Sequence, residues 1–349
     1  MLILLIVVLL LSFYLLAKVI ERYFVDSLDK IAAKLKMSSD AAGATLMAAG
    51  SSVPELFIAL FAVFRPGDHE AIGIGNIVGS AIFNVLAITG AAAIVKKAWI
   101  AWQAVIRDLA FYAVAVLLLI ILIKDGKVGW SDATLFIGIY FIYIVVVVFW
   151  RKMFNYVDPN EEKKEIKKKI DKSEFFKKIT SPFDFVLDKI FPKPEKYYVI
   201  FFISILIIAA LSWVLVESAI GIAHILNVSE AIIAVTVLAV GTSVPDFISS
   251  VVVSKQGRGG MAISNVIGSN IFDILIGLGL PFLLIIFITG GNINLHIDNL
   301  YMSVQFLLAS VAVLFGLFII NKWVVGKKMG VLLILLYVAY IVWAVINVG

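Results

Sequence analysis

The chain has 349 residues, 62% hydrophobic and 15% charged, with no cysteine and a formal net charge of +5. Soluble domains carry roughly 45–50% apolar and about 25% charged residues, so a water-exposed enzyme fold, a disordered chain and a nucleic-acid module are excluded. The lack of cysteine removes disulfides, thiolate metal sites and a cysteine nucleophile.

Apolar runs of about 20 residues, each long enough to cross a bilayer as a helix, fall at 2–20, 41–64, 71–95, 104–123 and 131–150, then at 197–223, 231–254, 261–289, 299–321 and 329–347. The first begins at Met1 without a basic leader or a small-residue cleavage site and is read as a retained helix. The expected fold is an all-α polytopic membrane protein of ten transmembrane helices, in two five-helix halves, 1–150 and 197–349. The stretch between them, 151–196, holds nine acids, 13 bases and four prolines and reads as a linker. Within it, Phe183, Val186, Leu187 and Ile190 are spaced for a short helix on the membrane surface; a solvated charged tether is the other reading.

With the first helix starting outside, 26 of the 29 Lys and Arg lie on the inner side, and only Arg65, Lys124 and Lys127 on the outer. Cytoplasmic loops carry the excess of basic residues. The split predicts a multi-pass cell-membrane protein with both termini outside and 151–196 cytoplasmic. Asp108, Asp125, Asp132, Glu217 and Asp298 lie near span ends and are expected to meet water or headgroups.

An internal repeat is the most informative feature. Residues 38–55 and 229–246 match at an offset of 191, with Thr45/Thr236, Ala48/Ala239, Gly50/Gly241, Ser52/Ser243, Val53/Val244 and Pro54/Pro245 identical. Residues 76–84 (NIVGSAIFN) match 265–273 (NVIGSNIFD) at an offset of 189. Five helices separate equivalent points. An odd number makes the second copy enter the membrane from the opposite side, an inverted-topology repeat of the kind that places a site at the midplane between the copies.

Glu55, Asp246 and Asp273 sit mid-span with no Lys or Arg nearby in their own spans. A carboxylate at the bilayer centre costs at least about 2.5–3.5 kcal/mol, so three without bases are either protonated or hold cations. Ser51 and Ser52 precede Glu55 on its helical face, and Thr242 and Ser243 precede Asp246 likewise. Ser80 and Asn84, and Ser269 and Asp273, are i, i+4 pairs, and Asn270 adds an amide. These are hard oxygen ligands suited to calcium, sodium or magnesium. Pro54 and Pro245 each remove a backbone donor and free the carbonyls of Gly50 and Gly241; unwound carbonyls in a membrane line cavities. Gly73, Gly75 and Gly79 are spaced for close helix packing rather than for a nucleotide loop. There is no nucleophile–base set, Walker loop or zinc-protease motif, so the chain is not expected to be an enzyme.

At these residues the sequence resembles the cation/calcium exchanger superfamily. GSSVPE at 50–55 and GTSVPD at 241–246 are similar to its two α-repeat signatures, and GSAIFN at 79–84 and GSNIFD at 268–273 to the helices that follow them. The resemblance covers roughly 38–93 and 229–284 and is greatest to the potassium-dependent sodium/calcium exchangers, which pair Glu and Asp in this way and carry an Asp at the position of Asp273. It implies that Glu55 and Asp246 are the central calcium ligands. It further implies that Ser51, Ser52, Thr242, Ser243, Ser80 and Ser269 help bind sodium, and that Asn84, Asp273 and the carbonyls of Ala48 and Ala239 complete the site. The large regulatory loop of animal sodium/calcium exchangers is missing.

The expected activity is therefore alternating-access exchange of Na⁺ for Ca²⁺, with K⁺ as a candidate co-transported ion. The partners are the lipid bilayer and inorganic cations, with no cofactor, no nucleic acid and no obligate protein partner. A proton-coupled antiporter of the same fold, with Asp273 as the protonatable group, is the first alternative. A passive cation channel is the second, and inverted repeats with broken helices argue against it.

Overall fold

The computed structural model describes residues 1–34, 45–46, 48–67, 69–154, 182–255, 257, 259–295 and 300–347. Among the described residues, eight helices are long and apolar enough to cross a membrane: Leu2–Leu28, Glu70–Val95, Trp102–Asp125, Trp130–Trp150, Tyr197–Leu226, Gly259–Thr289, Tyr301–Ile320 and Lys327–Asn347. The pair Glu230–Thr242 and Val244–Lys255, bent by 42°, makes a ninth span if counted as one. The protein is a helical multi-pass membrane protein.

The remaining expected segment, 41–64, appears as two pieces, Ala48–Ser51 and the 12-residue helix Val53–Phe64. Residues 41–44 and 47 lie outside the described residues. Both broken segments break at a serine, Ser52 in one and Ser243 in the other, directly before a Val-Pro pair. Proline at the second position of a new helix needs no intrahelical donor and has its φ already set, so Pro54 and Pro245 start helices rather than merely kink them.

Burial sorts the helices into inner and outer. Of the most apolar window of Glu70–Val95, 89% is buried, against 28% for both Trp130–Trp150 and Lys327–Asn347. The outer helices expose Phe141, Leu206, Phe287, Ile320 and Leu335, an apolar belt that suits hydrocarbon and not water. Two-residue ribbons pair Ala98–Trp99 with Val324–Val325, and Lys127–Val128 with Ile293–Asn294. Each joins a loop of the first half to a loop of the second. The helices interleave as well: Leu2–Val19 runs along Tyr197–Leu226, and Gly259–Leu275 packs on Trp102–Asp125.

The centre of the bundle depends on small residues. A Cβ added at Gly79 would lie 2.5 Å from the Val235 carbonyl oxygen and 2.6 Å from the Ala239 Cβ. Only glycine admits this approach, the close packing that the GxGxxxG spacing predicts. Wider π turns occur at Ile20–Phe24, Phe83–Ile88 and Ala234–Leu238. Nothing in the residue pattern announces them.

Two expectations about charged residues change. Asp108, expected at water, is fully buried: Arg107 Nε donates to its Oδ1 at 2.8 Å and the Tyr143 hydroxyl at 3.2 Å. Arg107, sorted by sequence with the inner basic loop residues, is buried with it. The acid lies nearly two turns inside Trp102–Asp125, beyond reach of the loop. Glu217 does not face water alone but pairs with Arg65. Asp125 is exposed, Asp132 accepts the Gly129 N–H, and Asp298 lies outside the described residues. In the linker, Pro182–Ile190 is a helix. Its Asp188 receives Arg22 at 2.7 Å and the Tyr23 hydroxyl at 2.8 Å, and Phe191 stacks on Tyr23 at 3.7 Å. This helix is thus docked on the end of the first transmembrane helix through Leu187 and Phe191, while Ile190 is exposed.

Candidate ion-binding site

Thirteen residues are expected at the site from sequence, and the structure buries every one. Ala48, Ser51, Ser52 and Glu55 come from the first broken segment, and Ala239, Thr242, Ser243 and Asp246 from the second. Ser80 and Asn84 come from Glu70–Val95, and Ser269, Asn270 and Asp273 from Gly259–Leu275.

The contacts between these segments are reciprocal. Ser51 Oγ lies 3.3 Å from Ser269 Oγ, and Thr242 Oγ1 lies 3.4 Å from Ser80 Oγ. Under the offsets of 191 and 189, Ser51 corresponds to Thr242 and Ser80 to Ser269, so each contact is the counterpart of the other. The broken segment of one copy packs its hydroxyl against the following helix of the other. Backbone carbonyls join in: Ala48 O accepts Ser51 Oγ at 3.2 Å, and Ala239 O accepts Ser80 Oγ at 3.3 Å. Asn76 Oδ1 accepts Thr242 Oγ1 at 3.4 Å.

Glu55 faces Asp246, with Thr242 and Ser80 beside it. Asp246 is surrounded by Ser51, Asn84, Ser269 and Asn265. Asp273 faces both other carboxylates and Ser52. Yet Glu55 Oε1 and Oε2, Asp246 Oδ1, Asp273 Oδ1 and Oδ2, Asn84 Oδ1, Asn265 Oδ1, Ser52 Oγ and Ser243 Oγ have no hydrogen-bond partner. A buried polar group without a partner is costly, and buried carboxylates facing one another add repulsion. Oxygen acceptors left unpartnered in one place are what a dehydrated cation requires. The three carboxylates do not close round a single point: among the described residues, no three Asp, Glu or His side chains are placed to hold one metal ion. Hydroxyl, amide and carbonyl oxygens must supply the rest of any coordination shell, and more than one cation position is compatible with the spread.

Asn270 stands apart from the others. Its Oδ1 accepts Asn84 Nδ2 at 2.9 Å, and its Nδ2 donates to Ala81 O at 3.1 Å and to Tyr112 Oη at 3.0 Å. The sequence reading passes over Asn76, Asn265 and Tyr112. The first two open the matching blocks at 76 and 265 and are equivalent by the repeat offset, a signal that could have found them. Tyr112 lies in a helix without polar patterning and carries no such signal.

Comparisons with known proteins bear on the family and the fold. The sequence profile of the family described as sodium/calcium exchanger protein matches residues 5–149 and 196–346. The sodium/potassium/calcium exchanger 3 of Homo sapiens is 30% identical, with 96% of this chain and 79% of the relative aligned. The sodium/potassium/calcium exchanger 4 of Mus musculus is 27% identical, with 95% and 79% aligned. That alignment runs over 497 positions, far more than this chain's 349 residues, so the relative carries insertions that this chain lacks. Among solved structures, the sodium-calcium exchanger NCX_Mj superposes with a TM-score of 0.63 at 24% identity, covering 98% of this chain and 99% of that one, a match of fold.

Proposed function

Because the chain belongs to the sodium/calcium exchanger family, we propose that it is a secondary antiporter that moves Ca²⁺ against Na⁺ across the membrane through the cluster around Glu55, Asp246 and Asp273. One observation carries this reading: buried oxygen atoms from both copies of the repeat meet without hydrogen-bond partners. In membranes, intramembrane carboxylates of this kind mark ion pathways.

In the finer proposal, the chain is an inverted repeat of ten spans, its halves 1–150 and 197–349 joined by a cytoplasmic linker, with both termini outside. The reciprocal pairs Ser51–Ser269 and Ser80–Thr242 support the inversion, and the charge split supports the orientation. Alternating access would proceed by sliding of the Leu2–Val19 and Tyr197–Leu226 helices, which pack together, past the inner helices. Phe13 of the first helix covers Gly241, where an added Cβ would overlap its ring, so this helix touches the hinge of the second broken segment.

K⁺ co-transport is proposed from the names of the relatives and from charge. Three ionised carboxylates total −3, matched by one Ca²⁺ and one K⁺ or by three Na⁺. A neutral loaded site crosses a low-dielectric barrier more easily than a charged one. Among the described residues no three of these carboxylates are grouped to hold one metal ion, which suits a second cation.

The test is Ca²⁺ flux in proteoliposomes under separately imposed Na⁺, K⁺ and H⁺ gradients. A Na⁺ gradient should drive uptake, and Glu55→Gln or Asp246→Asn should abolish it. Undiminished flux in those variants overturns the site. Flux driven by a pH gradient without sodium would replace Na⁺ by H⁺ as the coupling ion.

A further inference from the structure

We infer that Asn270 is a positioning residue and not an ion ligand: with Tyr112 it holds the Asn84 amide in the one orientation that presents a carbonyl oxygen to the transported cation. The inference deepens the proposed ion site and rests on it.

The two ends of a carboxamide are alike in shape and opposite in polarity. Asn84 therefore serves a cation only if something decides which end faces it. The decision starts at the Ala81 carbonyl oxygen, which can only accept. Asn270 Nδ2 lies 3.1 Å from it, so that end of Asn270 must be the NH₂. Asn270 Oδ1 then faces Asn84 and takes its Nδ2 proton at 2.9 Å. The second Asn84 proton points to Asp246 Oδ2 at 3.4 Å. What remains is Asn84 Oδ1, buried and without a hydrogen-bond partner. Turning either amide over would set donor against donor and acceptor against acceptor, each a lost hydrogen bond in a dry interior.

Tyr112 supplies the second anchor. Its hydroxyl oxygen lies 3.0 Å from Asn270 Nδ2, and the residue is fully buried on Trp102–Asp125. Asn270 thus has both amide protons and its carbonyl committed within the protein. The π turn at Phe83–Ile88 accompanies this arrangement, with Asn84 at its second position.

The second copy has no such device and needs none. The counterpart of Asn84 is Asp273, whose two oxygens both accept, and the counterpart of Asn270 is Ala81. The supporting amide occurs only where the ligand is itself an amide.

The experiment is equilibrium Ca²⁺ binding to the purified full chain, read as a double-mutant cycle, with melting temperature recorded in parallel. Groups that orient a metal ligand typically cost about 10–100-fold in affinity when removed, so Asn270→Ala should raise the Ca²⁺ Kd by about tenfold or more. In an Asn84→Asp background either oxygen accepts and orientation is irrelevant, so the same change should cost less than about threefold, within the error of additivity. Tyr112→Phe keeps the ring and removes one acceptor; it should raise Kd by about threefold in the native background and leave it unchanged in Asn84→Asp. If Asn270→Ala does not fold, the Tyr112→Phe cycle reads the same coupling. Equal factors in both backgrounds, or no change in the native one, overturn the positioning role. Glu55→Gln is the control: native Ca²⁺ binding in that variant would instead overturn the ion site.

Discussion

The two copies of the repeat share their hydroxyls and differ in their fourth-helix-turn ligand. Ser51 and Thr242 make equivalent contacts with Ser269 and Ser80, and the Ser52 and Ser243 hydroxyls both lack hydrogen-bond partners. At the next ligand position the first copy has Asn84 and the second Asp273. A hydroxyl rotates to suit its neighbour, so it can be duplicated without support. An amide cannot, and Asn270 of the second copy, with Tyr112, is placed around it. The difference teaches that symmetry in this molecule belongs to the broken segments and the hydroxyls, while charge is distributed unequally.

The largest expected effect tests what the copies share. Glu55→Gln and Asp246→Asn should each reduce Na⁺-driven Ca²⁺ flux to background, because each removes an acceptor charge that nothing else in the site replaces. A severe loss in one and near-native flux in the other would break the equivalence of the copies.

A second prediction concerns packing. Gly79→Ala places a Cβ against the Val235 carbonyl, and overpacking of this kind costs about 1–3 kcal/mol. The melting temperature of the purified protein should fall, and an unchanged value would show that the 234–239 stretch yields freely.

Making the copies alike is the third. Asp273→Asn removes the extra charge, and Ca²⁺ flux should persist while losing its dependence on K⁺. Retained K⁺ dependence would assign the second cation to other oxygens.

Smaller effects are expected at the hydroxyls. Ser51→Ala and Thr242→Ala each delete one hydroxyl and its contacts, and a hydrogen bond contributes about 0.5–1.5 kcal/mol. The two should raise the half-saturating Na⁺ concentration by similar factors, roughly three- to tenfold. Factors differing by more than tenfold would show that the geometric reciprocity has no functional counterpart. The smallest effect belongs to the Arg65–Glu217 pair, whose side chains are 36% and 31% exposed. Such pairs contribute about 0–1 kcal/mol, so Glu217→Gln should shift the melting temperature by no more than a degree or two.

Much of this was legible in the residues because a repeat and a hydropathy pattern are local. The offsets at Thr45/Thr236 and Asn76/Asn265 expose the duplication, and runs of apolar residues mark the spans. Pro54 and Pro245 signal a disturbed backbone, although the complete break at Ser52 and Ser243 is seen only in the fold. What stayed hidden depends on neighbours distant in sequence. Asp108 near a span end looks like a headgroup contact until Arg107 and Tyr143 are seen to enclose it. Asn270 looks like one more hard ligand until Ala81, Asn84 and Tyr112 are seen to occupy it. The π turns depend on how the inner helices fit together, which no single helix records.

One buried cluster is proposed to bind both transported cations in competition. Equilibrium Ca²⁺ binding to the purified chain at rising Na⁺, native against Asp246→Asn, tests it directly. The native protein should bind Ca²⁺ and release it as Na⁺ rises, and Asp246→Asn should fail to bind. Ca²⁺ binding that is indifferent to Na⁺, or undiminished in Asp246→Asn, would contradict it.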